Sequence, residues 1–218
     1  MMNIEQARFN MVEQQIRPWE VLDLRILDLL YEVRREDFVP QTWRDQAFVD
    51  MEIPLGLGEQ MLSPKLEARL LQELKVKGSD RILHVGTGSG YVAGLLGKLG
   101  AVVTTVEIHP ELGASAAQKL KALGFDNVTV EVGDAAQGWR PGRQWDAILL
   151  TGSVPVMPEG FIEGLAYGGC LVATVGDAPV MEVTRWRRDS FGGIHAETLF
   201  ETHVPTLHHV QHPPRFRF

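Results

Sequence analysis

The glycine-rich segment at residues 82–90, with the sequence ILHVGTGSG, restricts the fold of this chain more than any other feature. An apolar run ends at glycines spaced G-x-G-x-G, and a Leu-rich helical pattern follows up to Leu99. A strand, a glycine turn and a helix in this order let a backbone approach a nucleotide cofactor closely. A second strand pattern, residues 102–106, ends at Glu107, about 20 residues beyond the first glycine, where an acid can accept hydrogen bonds from both hydroxyls of a ribose.

The spacing of the glycines separates the candidate cofactors. A dinucleotide fingerprint requires a third glycine at position 91, where this chain has Tyr91. The Lys-Ser/Thr pair of a phosphate-binding P-loop is also missing after the glycines. The pattern together with Glu107 fits an adenosine without a pyrophosphate, and S-adenosylmethionine is the leading candidate. The alternative is a tight turn between a strand and a helix that binds no ligand.

Composition narrows the class of protein and of partner. The net charge of −7 over 218 residues argues against a nucleic-acid-binding role, which needs a basic face. Cys170 is the single cysteine, so no internal disulfide can form, and we expect a cytoplasmic protein with Cys170 as a buried structural thiol. No apolar run approaches the length needed to span a bilayer, so we expect no membrane partner. We expect a monomer or a weak dimer.

Strand and helix patterns alternate from Arg81 onward. Such alternation predicts an α/β fold with a doubly wound, mostly parallel sheet. Two β-like patches at 180–187 and 194–203, with Gly192 and Gly193 between them, predict an antiparallel edge. The predicted strands are 82–86, 102–107, 128–132, 145–151 and 170–175, and the predicted helices are 90–99, 110–123 and 158–166.

The residues before this core predict a helical extension, so we divide the chain at 1–78 and 79–218. Residues 3–35 follow a helical pattern with an interruption at Pro18, and residues 41–50 suit a further short helix. Two glycines and two prolines predict that residues 53–64 form a loop without regular structure. A helix is then expected up to Leu74, with Ser63 as its cap, Pro64 at its first position and Glu67 near the place for a reciprocal cap.

In a sheet of this kind, ligands bind beyond the carboxyl ends of the strands. Four of the predicted strands end there at polar or glycine residues. These residues are Gly86 to Gly90, Glu107, the pair Gly133 and Asp134, and Thr151.

Several further segments of the chain form a recognisable set. They are residues 8–16 (RFNMVEQQI), 33–40 (VRREDFVP), 53–58 (IPLGLG), 84–91 (HVGTGSGY), 123–128 (LGFDNV) and 132–135 (VGDA). On these segments, over residues 8–188, the chain resembles the protein-L-isoaspartate O-methyltransferase family, a branch of the class I S-adenosylmethionine-dependent methyltransferases with a Rossmann-like fold. The N-terminal and proline-glycine segments are specific to this family among methyltransferases.

The resemblance implies a function and a set of site residues. The family transfers a methyl group to the free α-carboxylate of isoaspartyl residues in damaged proteins, and the ester then collapses to a succinimide. The glycines would line the cofactor, Glu107 would hold its ribose, and the loop 58–64 would lie across the reacting centre. The implied cofactor-binding residues are Gly86, Thr87, Gly88, Gly90, Glu107, Ile108, Asp134, Ala135 and Thr151.

The loop 58–64 departs from the family pattern, which reads glycine-glutamine-threonine-isoleucine-serine-any-proline. Leu62 stands at the position of the family serine, Gln60 at that of the threonine, and Glu59 replaces a neutral amide. The candidate catalytic positions are therefore Gln60, Leu62 and the neighbouring Ser63. A negative charge at Glu59 would repel an anionic acceptor.

Two further departures are His84, where the first strand usually carries an acid, and Gly152-Ser153, where the family has two alanines. The changes leave two alternatives open beside isoaspartyl repair. Met61 and Leu62 could form an apolar mouth for a small or lipophilic acceptor, or the chain could bind the cofactor without turnover.

Four histidines crowd the C-terminal region. His208 and His212 would share a face, and could bind zinc, only if the segment were helical. Pro205, Pro213 and Pro214 argue against a helix, and neither a cysteine nor an H-E-x-x-H frame supports a metal site, so we predict none. We expect the ending 215–218 (RFRF) to be a docked or frayed tail rather than a contact with nucleic acid or a partner. The four histidines are His203, His208, His209 and His212.

Overall fold

The computed structural model describes residues 3–100 and 102–212 of the chain. Its centre is a seven-stranded sheet in the order β5-β4-β3-β6-β7-β8-β9. The strands of this sheet are β3 (Arg81–Val85), β4 (Val102–Glu107), β5 (Val128–Val132), β6 (Trp145–Val154), β7 (Leu165–Asp177), β8 (Val180–Arg188) and β9 (Ile194–Thr202).

Strands β3 to β7 pair in parallel, and the crossovers that this pairing requires are helices, except between β5 and β6, where residues 133–144 form an irregular connection. Strand β3 shows the resulting burial: Ile82 packs in the core on one face, and Leu83 and Val85 pack on the other. Strands β8 and β9 extend the sheet as antiparallel neighbours. The predicted doubly wound sheet with an antiparallel edge is confirmed. The connecting helices are α4 (Tyr91–Leu99), α5 (Pro110–Ala122) and α6 (Glu159–Glu163).

The N-terminal α-helices are α1 (Ile4–Asn10), which continues into a π-helical segment, Met11–Ile16, and α2 (Leu24–Glu32). The predicted interruption at Pro18 is confirmed and takes the form of a 3-10 turn, Arg17–Trp19. The side chains of these helices share one hydrophobic core with α3 (Pro64–Leu74) and with one face of the sheet. The division of the chain at residue 78 stays a prediction. No helix among the described residues is long and apolar enough to cross a membrane.

Glu67 corrects one prediction. It does not cap α3 but is buried, where its carboxylate pairs with the Arg35 guanidinium. Arg35 also donates to the carbonyl oxygens of Ala47 (3.0 Å) and Leu62 (2.7 Å), so the buried cation has an acceptor for each of its nitrogens. Ser63 occupies the cap position of α3, with Pro64 in the first turn as predicted, but its side chain makes no capping hydrogen bond.

The predicted loop at 53–64 is also wrong, because this segment forms a β-hairpin. Strands β1 (Ile53–Gly56) and β2 (Glu59–Met61) pair antiparallel, with Gly56 opposite Glu59. The two turn residues, Leu57 and Gly58, have φ values of +57° and +86°, as a type I′ turn requires. Leu57 makes this turn hard to predict from the sequence, since leucine rarely adopts a positive φ.

Candidate functional site

A cleft opens at the carboxyl ends of β3, β4, β5 and β6, where ligands bind in sheets of this type. It has two walls. The strand-end wall consists of Val85, Gly86, Gly88, Val106, Glu107, Ile108, Gly133, Asp134, Ala135, Ala136, Thr151 and Gly152. The hairpin wall consists of Glu59, Gln60, Leu62, Pro205, Thr206, Leu207 and His208.

Gly86 begins the turn between β3 and α4 and has no space for a side chain. Its φ is +94°, and an added Cβ would lie 2.6 Å from Thr151 Oγ1. The Thr151 hydroxyl donates to the carbonyl oxygens of Val85 and Gly86, each at 3.0 Å. This contact joins the ends of β3 and β6 and leaves the backbone of the turn facing the cleft.

Glu107 lies at the end of β4 and is only 5% exposed. One carboxylate oxygen accepts from the backbone N–H of Gly88 (2.8 Å), and the other accepts from that of His109 (3.1 Å). Each oxygen retains acceptor capacity for a further donor, because a carboxylate offers about four lone-pair sites. The glycine turn and the acid are therefore held together before any ligand binds.

His84 lies within β3 and is fully buried. Burial lowers the pKa of its imidazole to about 3, so the ring is neutral at pH 7. Thr151 already donates to backbone carbonyls, so Nε2–H of His84 donates to Thr151 Oγ1 (3.3 Å) and Nδ1 accepts from Thr105 Oγ1 (2.9 Å). Thr87 Oγ1 in turn donates to Thr105 Oγ1 (2.6 Å). The histidine thus supports the glycine turn through hydroxyl groups.

Asp134 follows β5 at the far end of the strand-end wall. Its Oδ1 accepts from the backbone N–H of Ala136 (2.9 Å), and its Oδ2 accepts from His209 Nδ1 (2.8 Å). These contacts hold the pKa of Asp134 below its ordinary value, with the Ala136 N–H as the largest cause. The carboxylate is therefore charged at neutral pH and can orient a polar ligand edge.

The hairpin wall carries Gln60 and Leu62 into the cleft. Leu62 is buried, and its carbonyl oxygen is fixed by Arg35. Met61, expected beside Leu62 at an apolar mouth, instead packs in the core under the hairpin. Ser63 is absent from the cleft lining.

Residues 205–208 line the cleft beside the hairpin, and we call residues 204–209 the C-terminal strap. Ser153 anchors the strap: its N–H donates to Pro205 O (2.8 Å), and its carbonyl accepts from Leu207 N–H (2.9 Å). Its hydroxyl lies 3.3 Å from Val204 O and 3.2 Å from Thr206 Oγ1. An added Cβ at Gly152 would lie 2.5 Å from the Leu207 side chain. The Gly152-Ser153 pair is thus adapted to the strap.

Most of the site residues singled out from sequence meet in this cleft. Three of them do not line it: Ser63, Thr87, which is buried against Thr105, and Gly90, where an added Cβ would lie 3.2 Å from the Ala116 side chain of α5. The residues that do line it are Gln60, Leu62, Gly86, Gly88, Glu107, Ile108, Asp134, Ala135 and Thr151.

The C-terminal strap was missed by sequence reasoning. The departure at Gly152-Ser153 was the available signal, but its partner lies about 50 residues further along the chain. His208 lies in a turn and pairs with Glu59, whereas His212 lies 3.6 Å from Asp177, so these two histidines share no helical face. The ending 215–218 lies outside the described residues.

A family model and curated relatives point to one family. The model of the protein-L-isoaspartate(D-aspartate) O-methyltransferase family matches residues 6–209. A protein-L-isoaspartate O-methyltransferase 1 of Rhodopseudomonas palustris (strain HaA2) is 38% identical over 201 residues, which cover 92% of this chain and 82% of the relative. A protein-L-isoaspartate O-methyltransferase of Roseiflexus castenholzii is 38% identical over 187 residues, 86% of this chain and 85% of the relative.

Solved structures agree in fold. A Plasmodium falciparum chain assigned to the same activity, crystallised with S-adenosyl-L-homocysteine, superposes with a TM-score of 0.75 at 20% identity, covering 91% of this chain and 96% of that chain. The family expected from the sequence is confirmed. The chain belongs to the protein-L-isoaspartate(D-aspartate) O-methyltransferase family of S-adenosylmethionine-dependent methyltransferases.

Proposed function

We propose that this enzyme methylates the free α-carboxylate of isoaspartyl residues in proteins and peptides. The observation that carries the proposal is a single cleft in which a glycine turn and a ribose-type acid face the hairpin where the family handles its acceptor. Family membership over residues 6–209, which includes that hairpin, supports the same substrate.

The strand-end wall fits the cofactor. Gly86 and Gly88 expose backbone beside Glu107, whose oxygens can accept both ribose hydroxyls. Asp134 and Ala135 follow the next strand and flank the place for the adenine. We assign cofactor binding to Gly86, Gly88, Glu107, Ile108, Asp134, Ala135 and Thr151, with Thr87 and Gly90 shaping the turn from behind.

The chemistry asks for placement rather than for a general base. When bound, the cofactor supplies a methyl group on a positively charged sulfur. A carboxylate acceptor is already an anion at neutral pH, so no side chain has to remove a proton. Holding an oxygen in line with the methyl at near-attack distance can supply about 7–11 kcal/mol of the barrier reduction. The strap and the buried Leu62 line the same cleft, and water excluded there would strengthen the attraction between the carboxylate and the sulfonium.

On the hairpin wall, we assign acceptor positioning to Gln60, whose amide can donate hydrogen bonds to a carboxylate. Leu62 offers no donor where the family has a serine. This substitution favours the second candidate function, methylation of a small or lipophilic acceptor, for which an apolar side chain in the cleft is better suited.

Labelled cofactor separates the two candidates. The enzyme is incubated with an isoaspartyl peptide and, as control, with the same peptide carrying normal aspartate. Selective labelling of the isoaspartyl peptide is expected. Equal background labelling of both peptides would contradict the repair function and leave the second candidate to be tested with an apolar carboxylic acid.

A matched pair of variants tests the role of position 62. Leu62→Ser restores a hydroxyl, and Leu62→Ala shortens the side chain equally without one. A hydrogen bond to a charged group contributes about 1.5–3 kcal/mol, so kcat/KM of Leu62→Ser for the isoaspartyl peptide should exceed that of Leu62→Ala by at least about 10-fold. Equal values would show that the acceptor carboxylate does not reach position 62.

We also propose a cytoplasmic location, supported by Cys170 being the single cysteine, so that the chain forms no internal disulfide. A monomer or weak dimer stays a prediction.

A further inference from the structure

Three side chains converge at the mouth of the cleft, none of them among the residues assigned to the cofactor. Glu59 comes from β2, His109 precedes α5, and His208 belongs to the C-terminal strap. His109 Nε2 and His208 Nε2 lie 3.2 Å and 2.7 Å from the same oxygen, Glu59 Oε1. All three donor atoms lie within 4.8 Å of one another.

Each of these residues is held by its own segment. Glu59 begins the second strand of a paired hairpin. His109 is fixed by its N–H bond to Glu107 and by its carbonyl, which accepts from Gly113 in the first turn of α5. His208 directly follows Leu207, whose backbone N–H donates a hydrogen bond to the carbonyl oxygen of Ser153. The cluster is therefore positioned by three anchored pieces of backbone rather than by one mobile loop.

We propose that Glu59, His109 and His208 form a binding site for a divalent transition-metal ion of the Zn²⁺ type. Two imidazoles and one carboxylate are the ligand set of open zinc sites, which leave a fourth position for water or substrate. Tetrahedral zinc with ligand bonds of about 2.0–2.2 Å places its donor atoms roughly 3.3 Å apart. The His109–Glu59 separation of 3.2 Å already lies near that value, and the His208–Glu59 separation of 2.7 Å would have to widen slightly on binding.

Accessibility fits the proposal. The side chains of Glu59, His109 and His208 are 28%, 25% and 47% exposed, so an ion can enter and the rings can adjust by small rotations. Both imidazoles present Nε2 to the same oxygen, Glu59 Oε1. The planes of the two rings are 89° apart, which keeps the rings from clashing. Neutral imidazoles bind zinc through such a nitrogen.

A bound ion would change the net charge at the mouth of the cleft. The role inferred from that change rests on the proposed function. Without an ion, Glu59 places a carboxylate at the mouth of a cleft that has to admit an anionic acceptor. Zn²⁺ with one carboxylate and two neutral imidazoles leaves a net charge of +1 there. Because Glu59 and His208 line the cleft, the fourth position faces it and can take an oxygen of the acceptor carboxylate.

Metal titration tests the site without cofactor or acceptor, so its outcome does not depend on the proposed function. The metal-free protein, residues 1–218, is titrated with Zn²⁺ by calorimetry and with Co²⁺ by absorption. We expect one ion per chain and the d–d bands of four-coordinate cobalt. Glu59→Gln and His208→Gln should each weaken binding at least about 100-fold, since even residues that only orient metal ligands are worth about 10–100-fold. His209→Gln, the neighbouring histidine that contacts Asp134, should bind as the parent does.

A replacement ligand guards against loss of folding in these variants. His208→Cys should retain binding and add a thiolate-to-cobalt charge-transfer band, because a thiolate is also a zinc ligand. Circular dichroism checks that each variant is folded. Absence of stoichiometric binding, or equal affinity in the parent and in folded Glu59→Gln, would overturn the proposal.

Discussion

The two walls of the cleft are built by different means. The strand-end wall uses backbone groups and a few local side chains, such as Gly86, Gly88 and Glu107, at the ends of neighbouring parallel strands. The hairpin wall brings together residues as far apart as Glu59 and His208, 149 positions along the chain. The strand-end wall follows the family pattern except at Gly152, whereas the hairpin wall departs from it at Glu59, Gln60 and Leu62. Most of the departures therefore lie on the wall to which we assign the acceptor.

The largest expected effect concerns what holds the hairpin wall in place. Arg35→Leu should lower the free energy of unfolding by about 3–5 kcal/mol, because it leaves Glu67 buried without its cation. It also frees the carbonyl of Leu62. Urea unfolding measures the loss. Lys98→Ala, which breaks an exposed pair with Glu32, is the control and should cost less than about 1 kcal/mol.

The pair can be examined further with a double variant. Arg35→Leu combined with Glu67→Leu removes both buried charges and should recover part of the lost stability. A loss below about 1 kcal/mol for Arg35→Leu alone would show that the hairpin wall does not depend on this buried contact.

An effect of intermediate size is expected on the strand-end wall. Glu107→Ala should weaken binding of S-adenosylhomocysteine by about 1.5–3 kcal/mol, roughly 10- to 150-fold, because hydrogen bonds to a charged acceptor are lost. Calorimetry measures the affinity. Glu111→Ala, an exposed acid in the first turn of α5, should bind as the parent does. Unchanged affinity in Glu107→Ala would contradict the assignment of cofactor binding to the strand-end wall, since it would show that the acid does not contact the cofactor.

The effect that is smallest at neutral pH is a pH dependence that arises behind the glycine turn. Burial holds the pKa of His84 at about 3, against an ordinary value of 6.5, so between these values the unfolded chain binds a proton that the folded chain does not. Stability from this group is therefore complete above about pH 6.5 and falls as the pH decreases, by up to about 1.4 kcal/mol per pH unit.

Replacing the ring tests this dependence. His84→Asn should flatten the acid side of the stability profile, measured by urea unfolding at pH values between about 7.5 and 5. His203→Asn, which removes an exposed histidine, should leave the slope unchanged. An unaltered slope in His84→Asn would mean that other groups dominate acid unfolding.

The sequence predicted the parts of the molecule that depend on local pattern. The parallel strands could be predicted because they are short apolar runs between helical patterns, and the glycines and Glu107 follow at the ends of these runs. The hairpin at 53–61 escaped because its strands are short and Leu57 hides the turn. Glu67 was misassigned because its partner, Arg35, lies 32 residues away, beyond any local capping rule.

The strap was invisible for the same reason. Its contacts with Ser153 and Glu59 bridge 53 and 149 residues. Local periodicity carries no information on such distances, so only the unusual residues at 152 and 153 hinted at a different neighbour.

The fit of Leu207 over Gly152 has a consequence for engineering. A methyl group at position 152 and an isobutyl group at position 207 compete for one volume. A chimaera that carries the C-terminal segment of another protein on this scaffold would therefore have to exchange positions 152 and 207 together.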